Sequence, residues 1–135
     1  MAGLDVAATA LLLTACLNAE WTQAGNALNA DRANNGRSAL ATQNDAQKKA
    51  QAWAEKLARD DALSHSKLSD GINVRWCSLG ENVGYGAGVA AAERGFMASP
   101  PHRNNILGSA WNGVGVGVAH NGNRTYVVQF FIQTC

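Results

Sequence analysis

The sequence predicts an α+β domain, and three observations carry that prediction. A strong amphipathic helical pattern runs from Asp45 to Asp60. Two alternating apolar segments, Val114 to Ala119 and Tyr126 to Ile132, flank the hairpin signal Asn121-Gly122. The helical patterns come first and the strands last, which is the order of an α+β chain rather than of a repeated βαβ unit.

Taken in order, residues 18 to 36 read as a helix. Leu28 and Arg32 lie one turn apart, and Asn34-Asn35-Gly36 closes the segment, glycine being the usual residue just past a helix end. Ser38-Ala39-Leu40 reads as a short extended connection. In the helix from Asp45 to Asp60, Ala46, Ala50, Trp53 and Leu57 recur at helical spacing, while Lys48, Lys49, Glu55, Lys56 and Arg59 take the opposite face. Thr42-Gln43-Asn44-Asp45 supplies a start resembling a capping box.

From Asp61 to Gly80 the periodicity fails, and Ser64, Ser66, Ser69, Asp70 and Gly71 mark a loop. Glu81 to Gly86 reads as a short strand or turn, and Val89 to Ala98 as an amphipathic helix weakened by Gly95. Ser99-Pro100 places an N-cap residue before a proline at the first helical position, so a short helical turn carries His102 to Leu107. Ser99 therefore reads as a cap rather than a nucleophile. In the final third, Gly115 and Gly117 sit inside a strand pattern with no strand–turn–helix context. Close packing against a helix explains them better than a phosphate loop does. Trp53, Trp76 and Trp111 read as core or rim packing and Trp21 as linker.

A chain of 135 residues and 14.2 kDa is one domain large enough to bury a core. A formal net charge of +1 leaves no basic excess to neutralise phosphates, which argues against nucleic acid or a polybasic membrane contact. The apolar run Val6 to Leu17 has the length of an export-signal core and is too short to span a bilayer. It ends in Leu13-Thr14-Ala15-Cys16, which resembles a lipobox with Cys16 as the lipidated residue. The basic residues expected ahead of such a core are missing, because Met1-Ala2-Gly3-Leu4-Asp5 carries only an acid. The alternative is an ordinary apolar helix packed on the domain. On the first reading, residues 1–19 are a signal or lipoprotein-type segment and residues 20–135 the domain. Cys16 then goes to lipid or is removed, leaving Cys77 and Cys135 as a candidate disulfide. Such a bridge persists only in an oxidising compartment, so it stands with export.

The chemistry concentrates in three residues. His65 lies in Leu63-Ser64-His65-Ser66, Glu81 in Gly80-Glu81-Asn82-Val83, and His102 in Ser99-Pro100-Pro101-His102-Arg103-Asn104-Asn105-Ile106-Leu107. Brought together by folding, two imidazoles and a carboxylate could polarise a ligand. They could equally hold Zn²⁺ or another divalent cation with an open fourth position, although no HExxH spacing is present. The alternative is a hydrogen-bonded network that fixes loops onto the sheet.

These stretches occur in order with Leu28-Asn29-Ala30-Asp31-Arg32 ahead of them and Val114-Gly115-Val116-Gly117 behind. The set resembles the bacterial branch of the CAP superfamily, the SCP-like extracellular domain of cysteine-rich secretory, antigen 5 and pathogenesis-related proteins. It covers about residues 24 to 133. The resemblance implies a three-layer α-β-α sandwich with a central antiparallel sheet, in a secreted or envelope-bound protein. It also implies a cleft lined by two histidines and up to two acids. His65, Glu81 and His102 match three of those positions. Ala98 is the nearest equivalent of the second acid, with Glu93 a turn away.

One acid short, the chain reads as a secreted or envelope-anchored binding module before it reads as an enzyme. Its partner would be a lipid, a wall glycan or another protein of the envelope, with membrane contact only through a lipid on Cys16. The motifs require no cofactor, and a monomer is expected. Two other readings stand beside this one. The first is a zinc-dependent hydrolase with His65 and His102 as ligands and Glu81 as ligand or general base; the second is an extracellular scaffold without cleft activity.

Overall fold

A computed structural model describes the backbone of residues 6–135 and side chains from residue 15 onward. The acidic start at residues 1–5 lies outside the described residues, as do the side chains of most of the apolar run. Helix α1 spans Val6–Asn34, twelve residues more than the sequence pattern marks at its start, and runs without a break through the boundary expected at residue 19. No described helix is long and apolar enough to cross a membrane. A two-residue strand β1 (Ala41–Thr42) follows, then α2 (Asn44–Asp60), β2 (Trp76–Gly86), α3 (Val89–Ala98), α4 (Pro100–Ile106), β3 (Gly113–Asn121) and β4 (Arg124–Thr134).

The strands form one sheet in the order β1-β3-β4-β2. Its three long strands are antiparallel, as the family resemblance implies, but β1 pairs parallel to β3 through Ala41↔Gly113 and Thr42↔Val114. The expected loop up to Gly80 is also too long. β2 begins at Trp76 and pairs with β4 from Trp76↔Thr134 to Gly86↔Thr125, with an irregularity at Cys77. That segment carries charge, serine and glycine and little alternation, so its strand character comes from its partner β4 rather than from its own pattern.

Alternation in β3 and β4 sorts the core into two layers. Val114, Val116, Val118, Val127 and Phe131 face α1, α3 and α4, where Leu28, Phe96 and Ile106 are buried. Tyr126, Val128, Phe130 and Ile132 face α2, where they meet Ala46, Ala50, Ala54 and Leu57. The buried stripe of α2 is finer than the sequence suggests, since Ala54 takes the core position and Trp53 stays half-buried. Small residues on both sides explain how close α2 lies: a Cβ at Gly115 would stand 2.2 Å from the Ala46 carbonyl group, and one at Gly117 would stand 2.1 Å from the Ala50 oxygen. The glycines in β3 are therefore a helix-docking surface, as their strand context predicts.

The expected disulfide is present. Cys77 and Cys135 are bonded with Cα atoms 5.7 Å apart, joining the irregular start of β2 to the residue after β4. Cys16 is free and exposed.

Candidate functional site

β2 is an edge strand, and the three singled-out residues gather along its outer side. The loop carrying His65 is fastened to α2. Trp53 Nε1 donates to the Ser64 carbonyl at 2.8 Å, and Lys49 Nζ donates to the carbonyls of Lys67 and Asp70 at 2.7 and 2.6 Å. Asp45 Oδ2 accepts from the Asn73 and Val74 amides where the loop turns into β2. Burial lowers the pKa of Lys49, while the charges of Glu81 and Asp70 work in the opposite direction.

Glu81 is the fixed point. Its side chain is only 1% exposed, whereas that of His65 is 62% exposed. Oε1 accepts from the Ser66 amide at 2.9 Å and lies 2.9 Å from His65 Nδ1; Oε2 accepts from the Ser66 hydroxyl at 2.5 Å. Three donors therefore hold one carboxylate, which is how a buried charge is made tolerable. With Nδ1 donating to Glu81, His65 Nε2 has no hydrogen-bond partner among the described residues.

His102 is held from the other side. Ser99 has the backbone of an N-cap residue, yet its hydroxyl makes no capping bond and lies 2.8 Å from His102 Nδ1 instead. The Ser99 carbonyl still accepts from the Arg103 amide, so the backbone alone starts α4. The His102 ring packs on Phe96 with centroids 5.2 Å apart. Burial, and then the charge of His65, lower its pKa. Ala98 has no polar group, Glu93 points into the interior, and the group touching His102 is the Ser99 hydroxyl.

Below the cleft lies a buried polar chain. Asn82, in the strand, donates from Nδ2 to the His102 carbonyl and to Gln129 Oε1, each at 3.0 Å. Asn105 donates to Asn82 Oδ1 at 2.9 Å and reaches the Glu81 carbonyl at 3.4 Å. Gln129 Nε2 donates to Glu93 Oε1 at 2.6 Å. Asn82 is structural, bonded to the His102 carbonyl and Gln129, and Asn105 joins the cleft wall. Trp111 donates from Nε1 to the Asn105 carbonyl and stacks on Phe131, which makes it a packing residue. Trp21 is not linker: it packs against the core and donates to Gln51 Oε1.

The structure thus joins His65 to Glu81 and His102 to Ser99, and the two pairs line adjacent cavities. One, of about 320 Å³, is lined by His65, Ser66, Leu68, Gly80, Glu81 and Asn105. The other, of about 210 Å³, includes Leu63, Val83, Tyr85, Phe96, Ser99 and His102. The arrangement does not fit the expected three-ligand metal site. Both Glu81 oxygens are taken by protein donors, and among the described residues no group of three or more His, Cys, Asp or Glu side chains is placed to hold a metal ion. Neither Lys49 nor Ser66 is marked as a site residue by the sequence, and Ser99 is marked there only as a cap. Ser66 and Ser99 sit beside or three residues from a histidine, which was the available signal; Lys49 had none, because its contacts cross from a helix to a distant loop.

Residues 26–135 match the model of the CAP family, described as the cysteine-rich secretory protein family. No match is found among curated proteins. Three solved structures share the fold. An extracellular SCP-domain protein of Bacillus anthracis aligns with a TM-score of 0.75 at 24% identity, over 87% of this chain and 41% of that one. An outer surface protein of Borrelia burgdorferi aligns with a TM-score of 0.74 at 14% identity, over 86% and 93%. A cysteine-rich secretory protein of Staphylococcus aureus aligns with a TM-score of 0.72 at 20% identity, over 87% and 39%. This chain therefore spans about two fifths of the Bacillus and Staphylococcus proteins and nearly all of the Borrelia one.

Proposed function

Because this chain belongs to the CAP, or cysteine-rich secretory protein, family, we propose that it works outside the cytoplasm as a binding module, with the cleft beside β2 as its ligand site. The observation that carries this reading is the state of Glu81. A general base needs an oxygen free to take a proton from the reacting group. Both oxygens of Glu81 instead accept from Ser66 and His65 and the side chain is only 1% exposed, so the carboxylate is committed to fixing the His65 loop to β2. What remains available in the cleft is recognition surface: an exposed imidazole, a half-buried one, and two cavities with mostly apolar walls.

Placement outside the cytoplasm is supported by the Cys77–Cys135 bond, which a reducing compartment would not preserve. The similar Bacillus and Borrelia proteins are described as extracellular and outer surface proteins. We read the apolar stretch at residues 6–17 as the export element, with Cys16, free and exposed, available for lipid attachment.

The test is an NMR titration that follows the Cε1–H resonances of His65 and His102, since both rings line the cleft. Dihexanoylphosphatidylglycerol, a soluble muropeptide and a short alternating apolar peptide serve as three probe classes. Saturable shifts of these resonances by at least one probe are expected. Silence of both histidines to all three overturns the cleft reading. Ester hydrolysis by the protein that Glu81→Gln abolishes would replace it with an enzymatic one.

A further inference from the structure

The two edges of the sheet are finished differently. On the β1 side, β1 covers only the start of β3, and α2 seals the rest of that strand with side chains. Gln47 Nε2 donates to the Val116 carbonyl at 2.7 Å, and its Oε1 accepts from the Val116 amide at 2.9 Å. Gln51 repeats the arrangement at Val118, with both bonds at 2.9 Å. Each side-chain amide stands in for the peptide group of a neighbouring strand. Closing an edge in this way prevents unwanted strand pairing.

The β2 edge has no such side-chain seal among the described residues, although of Glu81, Val83 and Tyr85 only Tyr85 stands exposed, the other two being 6% exposed. Backbone direction alternates along an antiparallel strand, so the register settles which groups face outward. Val114, Val116 and Val118 turn theirs to β1 and the glutamines. Gly115 and Gly117 therefore bond to Phe130 and Val128 of β4, while Gln129 and Val127 turn to their partners Asn82 and Gly84 in β2. Glu81, Val83 and Tyr85 are left directing N–H and C=O away from the sheet. Only the Glu81 carbonyl meets a protein donor among the described residues, Asn105 Nδ2 at 3.4 Å.

This open edge runs between the two cleft cavities, one at Gly80 and Glu81, the other at Val83 to Tyr85. At strand rise their centres of attachment are about 10 Å apart. Three of the five large hydrophobic side chains that stand exposed among the described residues line these cavities, Leu63 and Tyr85 in one and Leu68 in the other. Leu63, Leu68 and Val74 lie on the preceding loop, and Trp76 and Tyr85 on β2 itself.

We propose that the cleft takes an extended polypeptide segment, which adds to the outer edge of β2 as a further strand and seats apolar side chains in the two cavities. The proposal rests on the reading of the cleft as a ligand site. The amides and carbonyls of Val83 and Tyr85, which have no hydrogen-bond partner among the described residues, decide the ligand class. A lipid tail laid on them would leave them buried without partners, and a glycan has no donor–acceptor repeat at strand spacing, whereas a peptide backbone supplies both. Charge plays little part, because Glu81 is the only charged residue between Leu79 and Gly86 and it is already engaged.

The probe is a blocked octapeptide of alternating threonine and valine or leucine, with lysine at each end, in three forms. One is unmodified, and two are N-methylated on opposite sets of alternate residues. Calorimetry is expected to show one methylated set losing about tenfold or more in affinity while the other stays near the parent, because only one strand edge faces β2. Hydrogen exchange should show protection of the Val83 and Tyr85 amides on binding. Tyr85→Pro removes an outward N–H without touching the β4 ladder and is expected to weaken binding well below the level of Tyr85→Ala, which keeps that N–H.

Equal binding by both methylated peptides overturns strand addition, and so does protection confined to other strands. A response of His65 and His102 to the lipid or the muropeptide but not to the peptide overturns this proposal and leaves the cleft reading intact; silence to all three ends both. Protection of the same amides with concentration-dependent dimerisation in the absence of peptide overturns it in favour of a second copy of the chain.

Discussion

Gln129 Nε2 donates to Glu93 Oε1 across 2.6 Å in the buried layer between the sheet and α3. Among the described residues no donor faces the other oxygen of Glu93, and its carboxylate neighbour Asp31 can accept but not donate while ionised. The contact becomes a hydrogen bond when Glu93 carries the proton. Burial, then the bond to Asp31 and the charge of Asp31, raise the Glu93 pKa to about 8, against the opposing bond from Gln129.

A first prediction comes from the sign of that shift. Between the ordinary glutamate value of 4.5 and about 8, the folded protein binds more protons than the unfolded chain. Stability is therefore full below 4.5 and is lost as pH rises through about 8. Glu93→Gln replaces the protonated acid with a neutral amide of the same shape. It should change stability little at pH 5 and raise it at pH 9 by on the order of a few kcal/mol. Urea titrations of both proteins across this range measure it, and parallel pH profiles would contradict it.

His102 predicts the opposite slope. Burial, and secondarily the His65 charge, hold its pKa below the ordinary 6.5, so the folded state resists its protonation. This contribution to stability is present above 6.5 and is lost as pH falls through the lowered folded value. His65→Gln removes the lesser cause and should move the His102 titration part of the way back up. The imidazole Cε1–H shifts of both proteins report it, and an unchanged midpoint would show that the two rings do not sense each other.

Arg32 offers a test of how α4 is positioned. It is 2% exposed and has no carboxylate partner among the described residues. Its guanidinium donates instead to the carbonyls of Ser38, Ile106 and Gly108 at 2.7, 2.7 and 2.9 Å, binding α1 to the end of the helix that carries His102. Arg32→Met leaves three carbonyls without donors and should cost about 3 kcal/mol. Arg32→Lys keeps the charge but not the fork, and should recover only part of that. Chemical denaturation gives both values, and a Lys variant as stable as the wild type would contradict the geometric argument.

Gly115 and Gly25 make a matched pair. A methyl at Gly115 meets the Ala46 carbonyl group at 2.2 Å, against helix backbone that cannot yield cheaply. Gly115→Ala should cost about 1–3 kcal/mol or more, as overpacking does. Gly25, within α1, has nothing within 4 Å of a built Cβ. Gly25→Ala should stabilise by up to about 1 kcal/mol through helix propensity. Thermal melts of both variants decide whether β3 is glycine-rich for the sake of α2.

How much of this was legible in the sequence depended on whether a residue acts along its own element or across to another. The alternation of Val114, Val116 and Val118 and the spacing of Ala46, Ala50 and Leu57 are local patterns, and they gave the strands, the helix and the faces they bury. The resemblance placed His65, Glu81 and His102 near one another, and the structure gathers them at one strand edge. Gln47 and Gln51 were read only as helix residues, because sealing β3 depends on how closely α2 lies beside it. The early start of β2 escaped for the same reason, since β4 supplies the order. Ser99 was half legible: its capping position was right, but the hydroxyl chose His102, one turn ahead on the same helix.

The disulfide completes the set, because it ties that same edge strand to the end of the chain. Cys77 and Cys135 close a loop with a sequence separation of 58 residues. Restricting the unfolded chain over that length contributes about 4 kcal/mol. Reduction, or the Cys77→Ser/Cys135→Ser double variant, should lower the melting temperature by roughly 10 °C or more. It should also loosen the start of β2, where the Cys135 amide bonds to the Arg75 carbonyl. Thiol counting is the control: reduction should release two further thiols, those of Cys77 and Cys135. Free thiols at Cys77 and Cys135 in protein purified from an oxidising compartment would remove the bridge, and with it the main support in this chain's own residues for a place outside the cytoplasm.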